Sequence, residues 1–155
     1  MLNLKLVFLS VHASIGGLIG EKITNSQWLA FVFGFLSHFI LDMIPHNDSV
    51  VIDQENKPVL FLRVVLDLIF VFIFMQIWIY SFSLKNNRIF LAGIFGALLP
   101  DVIWGIYEQW KIKGFGWFYK MHNYFHQLFS YQISRKKAII SQIFIIILAS
   151  YLLRA

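Results

Sequence analysis

The chain has 155 residues, of which 59% are hydrophobic and only 14% are charged. A soluble domain carries about 25% charged and about 45–50% apolar residues, and a disordered chain has the opposite composition. The composition therefore excludes an ordinary soluble globule and a disordered chain, and the length fits a single domain, residues 1–155. The net charge of +5 does not indicate nucleic-acid binding, because the basic residues lie between apolar runs and not along one face.

Five apolar stretches approach the length of about 20 residues that a helix needs to cross a bilayer. In chain order they cover about residues 4–20, 27–44, 59–83, 89–107 and 138–153. None shows the alternation of an outer-membrane strand. The sequence therefore predicts an all-α, polytopic membrane helix bundle of about five transmembrane helices. A further, interfacial helix is expected over about residues 118–131, because Trp and Tyr favour the headgroup zone.

The basic residues divide unequally between the two sides of such a bundle. One side holds Lys5, Lys57, Lys111, Lys113, Lys120, Arg135, Lys136 and Lys137. The other side holds Lys22, Lys85, Arg88 and Arg154. Because Lys and Arg concentrate in cytoplasmic loops, the first side is predicted to be cytoplasmic, and the chain is expected to be a multi-pass inner-membrane protein.

Ionisable residues inside apolar spans are costly and are functional candidates by default. Such residues, with those just outside the spans, are His12, His38, Asp42, His46, Asp67, Asp101, His122 and His126. A five-span bundle allows all of them to converge in one layer towards the face that is predicted to be cytoplasmic, although the composition does not require it. Asp101 follows Pro100, which is expected to present this carboxylate at a helix break. The chain contains no cysteine, so any metal site must use imidazoles and carboxylates, which suit Zn, Mn or Fe.

The spacing of these residues also favours a shared site. His38 and Asp42 lie one helical turn apart, so both can reach a single ion. His46 continues the same line, and His122 and His126 repeat the one-turn spacing with two imidazoles. Taken together, these residues predict a metal site at one face of the bundle.

Each of these residues also has a simpler interpretation. A single buried histidine is usually a packing residue, and a histidine near a helix end can be a cap or an interfacial residue. Asp67 follows Arg63 by four residues, so an ion pair on one helix face would explain it equally well. The metal-site interpretation therefore depends on the whole set of residues and not on any single one.

Three motifs resemble a known family. They are SHFILDMIPH at residues 37–46, LLPD at residues 98–101 and the later pair His122 and His126. They resemble small bacterial inner-membrane proteins of a metal-dependent hydrolase family, which is similar in turn to the zinc-dependent phospholipase C superfamily. The resemblance covers about residues 8–130 and implies metal ligands at His12, His38, Asp42 and Asp101. The chain departs from the soluble phospholipases in being shorter and in having one His-x-x-x-Asp motif where they have two.

The residues and the resemblance together predict a membrane-bound metal-dependent hydrolase that acts on a phosphoester, such as a lipid headgroup. The expected metal ligands are His12, His38, Asp42, His46 and Asp101. The expected catalytic residues are Asp67, which would orient the water, and His122 and His126, which would close the site or protonate the leaving group. The metal is expected to be Zn, with Mn or Fe as alternatives, and membrane lipids are the expected partners.

The alternative is a membrane protein without enzymatic activity that uses the same polar layer. It would be an ion or solute transporter, or a scaffold that the metal stabilises. A transport path would also need polar groups on the opposite side of the bundle. The sequence places the polar residues of that side in turns, which favours a closed site over a path through the membrane.

Overall fold

The structure is a computed structural model that describes residues 9–44, 57–82, 84–128 and 134–154. These residues form six α-helices, and the described part of the chain contains no β-strand. The helices are α1 (Leu9–Lys22), α2 (Gln27–Asp42), α3 (Lys57–Ser81), α4 (Asn87–Trp110), α5 (Gly116–Gln127) and α6 (Arg135–Arg154). The prediction of an all-α fold is confirmed for the residues that the structure describes.

Three of the described helices are long and apolar enough to cross a membrane. They are α4 and the segments Val64–Ser81 of α3 and Lys136–Arg154 of α6. Helix α2 is apolar but has only 16 residues. At about 1.5 Å per residue it is about 24 Å long, against a hydrocarbon core of about 30 Å. Three helices thus support membrane association, and the prediction that α1 and α2 also span stays a prediction.

Helices α1, α2 and α4 pack closely where Gly93 of α4 meets its two neighbours. A Cβ atom at Gly16 of α1 or at Gly34 of α2 would overlap the carbonyl oxygen of Gly93. A Cβ atom at Gly93 would in turn overlap the carbonyl oxygen of Gly16. Small residues allow helix backbones to approach this closely. The contact brings together three helices that each carry predicted ligands.

The chain reverses after α4 and returns as α5. Lys111 ends α4 with a left-handed backbone (φ 48°), and Gly114 has φ 102°, a conformation that glycine adopts without strain. Helix α5 then packs against α2 and α4. Helix α5 therefore overlaps the interfacial helix predicted over about residues 118–131. It begins earlier, at Gly116, and ends earlier, at Gln127. Residues 129–133 of that prediction lie outside the described residues.

Three hydrogen bonds link α1 to α3, α3 to α6, and α1 to the turn before α4. The Asp67 Oδ2 atom of α3 accepts a hydrogen bond of 2.6 Å from the backbone N–H of Leu9. The Trp78 indole of α3 donates to the Ser150 Oγ atom of α6 at 3.1 Å. At the other end of α1, the Glu21 Oε1 atom accepts from the backbone N–H of Lys85 at 2.9 Å.

Candidate metal centre

Four helices deliver histidine and aspartate side chains to one cluster. The cluster consists of His12 from α1, His38 and Asp42 from α2, Asp101 from α4, and His122 and His126 from α5. The side chains of His38 and Asp42 are fully buried, whereas those of Asp101 and His126 are 17% and 21% exposed. The cluster therefore has a buried side towards α2 and a more open side formed by α4 and α5.

Asp42 contacts all four imidazoles of the cluster. Its Oδ1 atom lies 3.3 Å from the Nε2 atom of His12. Its Oδ2 atom lies 2.9 Å from His38 Nε2 and 3.2 Å from His126 Nε2, and 3.5 Å from His122 Nε2. Four different Nε2 atoms thus point at a single carboxylate.

Asp101 provides the second carboxylate. Its Oδ1 atom lies 3.3 Å from His122 Nε2 and 3.6 Å from His38 Nε2. Those two Nε2 atoms are only 3.0 Å apart. His38 and His122 therefore lie between the two carboxylates and belong to the surroundings of both.

The spacing of these atoms is that of ligands around an ion. Three overlapping groups each have ligand atoms within 4.8 Å of one another: His12, His38 and Asp42; His38, Asp101 and His122; and Asp42, His122 and His126. Tetrahedral zinc bonds of about 2.0–2.2 Å place neighbouring ligand atoms of one ion about 3.3–3.6 Å apart. Most distances around Asp42 and Asp101, from 3.2 Å to 3.6 Å, are close to this range, and the contacts of His38 Nε2 at 2.9 and 3.0 Å are shorter. These buried groups could therefore hold one or two divalent ions.

The hydrogen bond of His38 fixes which ring nitrogen faces the cluster. Its Nδ1 atom lies 2.8 Å from the carbonyl oxygen of Ala97, and because a carbonyl only accepts, Nδ1 must carry the proton. In the neutral ring, Nε2 then presents a lone pair to Asp42. Two lone pairs at 2.9 Å repel unless a proton or a cation lies between them. The hydrogen bond from Nδ1 to a carbonyl is also the usual contact that orients a metal-binding histidine.

The carboxylate of Asp42 gives a second reason to expect a cation. Within the described residues, neither of its oxygens makes a hydrogen bond of ordinary geometry, although both are buried. Buried carboxylates are normally hydrogen-bonded, paired with a charge or bound to a metal. The Nε2 atoms approach Asp42 at ligand-like distances but without good hydrogen-bond geometry. A metal ion at the centre would satisfy both the carboxylate and the imidazoles.

Pro100 does not break α4, so the expectation of a helix break beside Asp101 is wrong. Helix α4 continues from Asn87 to Trp110 with Pro100 inside it. A proline in a membrane helix is tolerated where neighbouring groups satisfy the backbone that it frees. The carbonyl that Pro100 frees is that of Gly96, four residues earlier. The neighbouring carbonyl of Ala97 accepts a hydrogen bond from His38. Asp101 therefore reaches the cluster from an intact helix.

Two predicted site residues are not among the clustered groups. His46 lies outside the described residues. Asp67 is buried, but it belongs to none of the three groups, and its Oδ2 atom contacts the Leu9 backbone. The side chain of Arg63 also lies outside the described part of the chain, so the predicted ion pair with Asp67 stays a prediction. The contact with Leu9 places Asp67 at the start of α1, three residues before His12.

We expect Asp67→Asn to keep the fold and to lower metal content by at least about tenfold, the lower end of the effects seen when the surroundings of a metal site are perturbed. The reason is that the charged carboxylate anchors the first described turn of α1, and that turn leads to His12. Metal analysis and thermal unfolding of the purified variant test this expectation. Normal metal content with lowered stability would exclude Asp67 from the site and leave it a purely structural residue.

Three groups beside the cluster were not indicated by the sequence. They are the Ala97 carbonyl and the pair Trp104 and Asn123, whose side chains share a hydrogen bond of 2.9 Å. No motif marks them, because each acts across a contact between two helices. The only sequence signal is that Trp104 lies three residues after Asp101 and that Asn123 adjoins His122.

Comparison of the chain with known protein families, with characterised proteins and with solved structures finds no match. The resemblance to metal-dependent hydrolases therefore stays a prediction. The function must therefore be inferred from the cluster of histidines and aspartates and from the long apolar helices of the bundle.

Proposed function

We propose that the protein is a membrane-bound, metal-dependent hydrolase that acts on a phosphoester, such as a lipid headgroup. The observation that carries this proposal is the contact of Asp42 with four imidazole Nε2 atoms at 2.9–3.5 Å. Such a set of imidazoles and carboxylates is typical of sites for Zn, with Mn and Fe as alternatives. When bound, the ion would supply Lewis-acid stabilisation of the negative charge that develops on a phosphoryl group.

The exposure of the side chains indicates which members of the cluster would hold the ion and which would meet the substrate. His38 and Asp42 are fully buried, so they hold the ion and do not meet the substrate. His12 completes the buried side from α1, where it stacks on His38 with ring centroids 4.2 Å apart. His126 and Asp101 are the more exposed members. They therefore lie where a substrate would enter, and His126 is the best placed to donate a proton to a leaving group.

The same proposal includes the membrane arrangement. Helices α1 and α2 would be short spans that complete a bundle of five with α3, α4 and α6, and α5 would lie at the interface. The excess of basic residues on the side of α5 favours a position of the cluster towards the cytoplasmic face of the inner membrane. The exposed apolar side chains of α3 and α6, such as Phe72 and Ile147, support contact with lipid along the outside of the bundle. Membrane lipids would then be both surroundings and a source of substrate.

Hydrolysis by the purified protein in lipid nanodiscs tests the proposal. After loading with Zn²⁺, the protein should hydrolyse a chromogenic phosphodiester or a phospholipid, and a chelator should abolish the activity. His38→Ala should remove both the metal and the activity, whereas Glu108→Gln should keep both. Glu108 is a suitable control because it lies on the same helix as Asp101 but pairs with Lys111 at 2.8 Å.

A second candidate function is a metal-stabilised scaffold. The observation that favours it is the origin of the ligands in four helices, α1, α2, α4 and α5, since one ion would then tie these helices together. In this case Zn²⁺ would raise the unfolding temperature of the protein, but no phosphoester would be hydrolysed. Metal binding without any hydrolysis in the assay above would therefore favour the scaffold over the enzyme.

A further inference from the structure

An aromatic contact joins α4 to α5 beside the cluster. The indole ring of Trp104 stacks on the imidazole of His122, with ring centroids 6.0 Å apart and planes 30° apart. The indole also stacks on the ring of Tyr119, which lies one turn earlier on α5. The ring centroids of this pair are 6.2 Å apart and the ring planes differ by 11°. Trp104 lies three residues after Asp101, so one turn of α4 carries both a candidate ligand and this ring.

A hydrogen bond fixes the same contact along the helix axis. The Nε1–H group of Trp104 donates to the Oδ1 atom of Asn123 at 2.9 Å, and Asn123 is the neighbour of His122 in the chain. The stacked rings and the hydrogen bond both restrict how α5 can rotate and slide against α4, in addition to the contact of Tyr107 with Tyr119 at 4.9 Å. Because His122 Nε2 lies 3.3 Å from Asp101 Oδ1, a small slip of α5 would separate the two candidate ligands.

His122 lacks the orienting hydrogen bond that His38 has. The Nδ1 atom of His38 contacts the Ala97 carbonyl at 2.8 Å. The Nδ1 atom of His122 is buried and has no hydrogen-bond partner within the described residues. A metal-binding imidazole is normally aligned by a hydrogen bond to its other nitrogen. The alignment of His122 must therefore come from its packing and from the contacts of its neighbours on α5.

We infer that Trp104 is a positioning residue which, together with Asn123, aligns His122 for metal binding. This inference rests on the metal centre of the proposed function, but it does not require hydrolysis. Trp104 stacks on the ring and hydrogen-bonds the next residue, so it replaces the missing hydrogen bond at Nδ1. Its role is distinct from that of the ligands, because its indole offers no lone pair to an ion.

Titration of the metal-free protein with Co²⁺ tests the inference, because the visible spectrum of Co²⁺ reports the geometry of its ligands. Trp104→Leu removes both the stacking and the hydrogen bond, and we expect it to weaken Co²⁺ binding by at least about tenfold and to change the spectrum. Trp104→Phe keeps a stacking ring and should lose less affinity. Asn123→Ala should resemble Trp104→Phe, and the double variant should lose no more than either single one, since both remove the same bond.

The matched control is Trp110→Phe on the same helix, because Trp110 is 68% exposed and should bind Co²⁺ as the unchanged protein does. If Trp104→Leu does not fold, the inference is tested with the two milder variants, Asn123→Ala and Trp104→Phe. Wild-type affinity and spectrum in the Trp104 and Asn123 variants, with or without a loss of thermal stability, would overturn the inference and leave the metal centre standing. Failure of the unchanged protein to bind Co²⁺ would overturn the metal centre and the inference together.

Discussion

Asp42→Asn should lower the affinity of the protein for Zn²⁺ by at least about 100-fold, beyond the effect of removing an outer contact of a metal site. Asp42 is the one residue whose carboxylate contacts all four imidazoles of the cluster. Asparagine has nearly the same shape but no charge, and its amide nitrogen cannot coordinate in place of an oxygen. The variant should therefore fold and yet fail to retain the ion. Equilibrium dialysis against Zn²⁺ measures the loss directly.

Thermal unfolding provides an independent measurement for the same variant. An ion that binds only the folded protein stabilises it by about 2.7 kcal/mol at 100 times its dissociation constant. Zn²⁺ should therefore raise the unfolding temperature of the unchanged protein and of the control Glu108→Gln, but not that of Asp42→Asn. An equal rise of the unfolding temperature in all three proteins would show that Zn²⁺ stabilises the fold by binding at a site other than the cluster around Asp42.

Gly93→Ala should destabilise the folded protein by about 3 kcal/mol, the upper end of the usual cost of overpacking a core. The added methyl group would overlap the backbone of Gly16, and a backbone cannot move aside as a flexible side chain can. Because Gly93 also touches Gly34, its displacement would separate α1, α2 and α4. We expect lower thermal stability in detergent and, since these three helices carry His12, His38 and Asp101, a loss of bound metal.

Gly105→Ala is the matched control for this prediction. Gly105 lies on the same helix, and a Cβ atom there would meet nothing within 4 Å. Alanine favours the helix over glycine by about 0.8–1.0 kcal/mol, so this variant should be at least as stable as the unchanged protein. Equal stability of the two alanine variants would mean that α4 does not pack at Gly93 as closely as the structure indicates.

Much of the helical framework and of the set of clustered residues was predictable from the sequence. Apolar runs reveal helices because hydrophobic length and the absence of strand alternation are properties of single segments. Charged and imidazole side chains are rare inside such runs, so His12, His38, Asp42 and Asp101 stood out without any structural information. The one-turn spacing of His122 and His126 also indicated two imidazoles on a single helix face that belong to the site, and the structure places both beside Asp42.

The contacts between helices were not predictable in the same way. The pairing of Trp104 with Asn123 depends on the register of α5 against α4, which no single segment determines. The close contact at Gly93 likewise depends on three helices at once. The expectation of a helix break at Pro100 is wrong for a related reason, since whether a proline ends a membrane helix depends on the packing around it, which no single segment determines.

Metal analysis of the unchanged protein tests the central claim most directly. The protein, purified without chelators and then equilibrated with Zn²⁺, should retain about one or two ions per chain, and X-ray absorption should show nitrogen and oxygen ligands at about 2.0–2.2 Å that include imidazoles. Asp42→Asn, treated identically, should retain much less. If the unchanged protein retains no more zinc than this variant, the cluster of histidines and aspartates is not a metal centre.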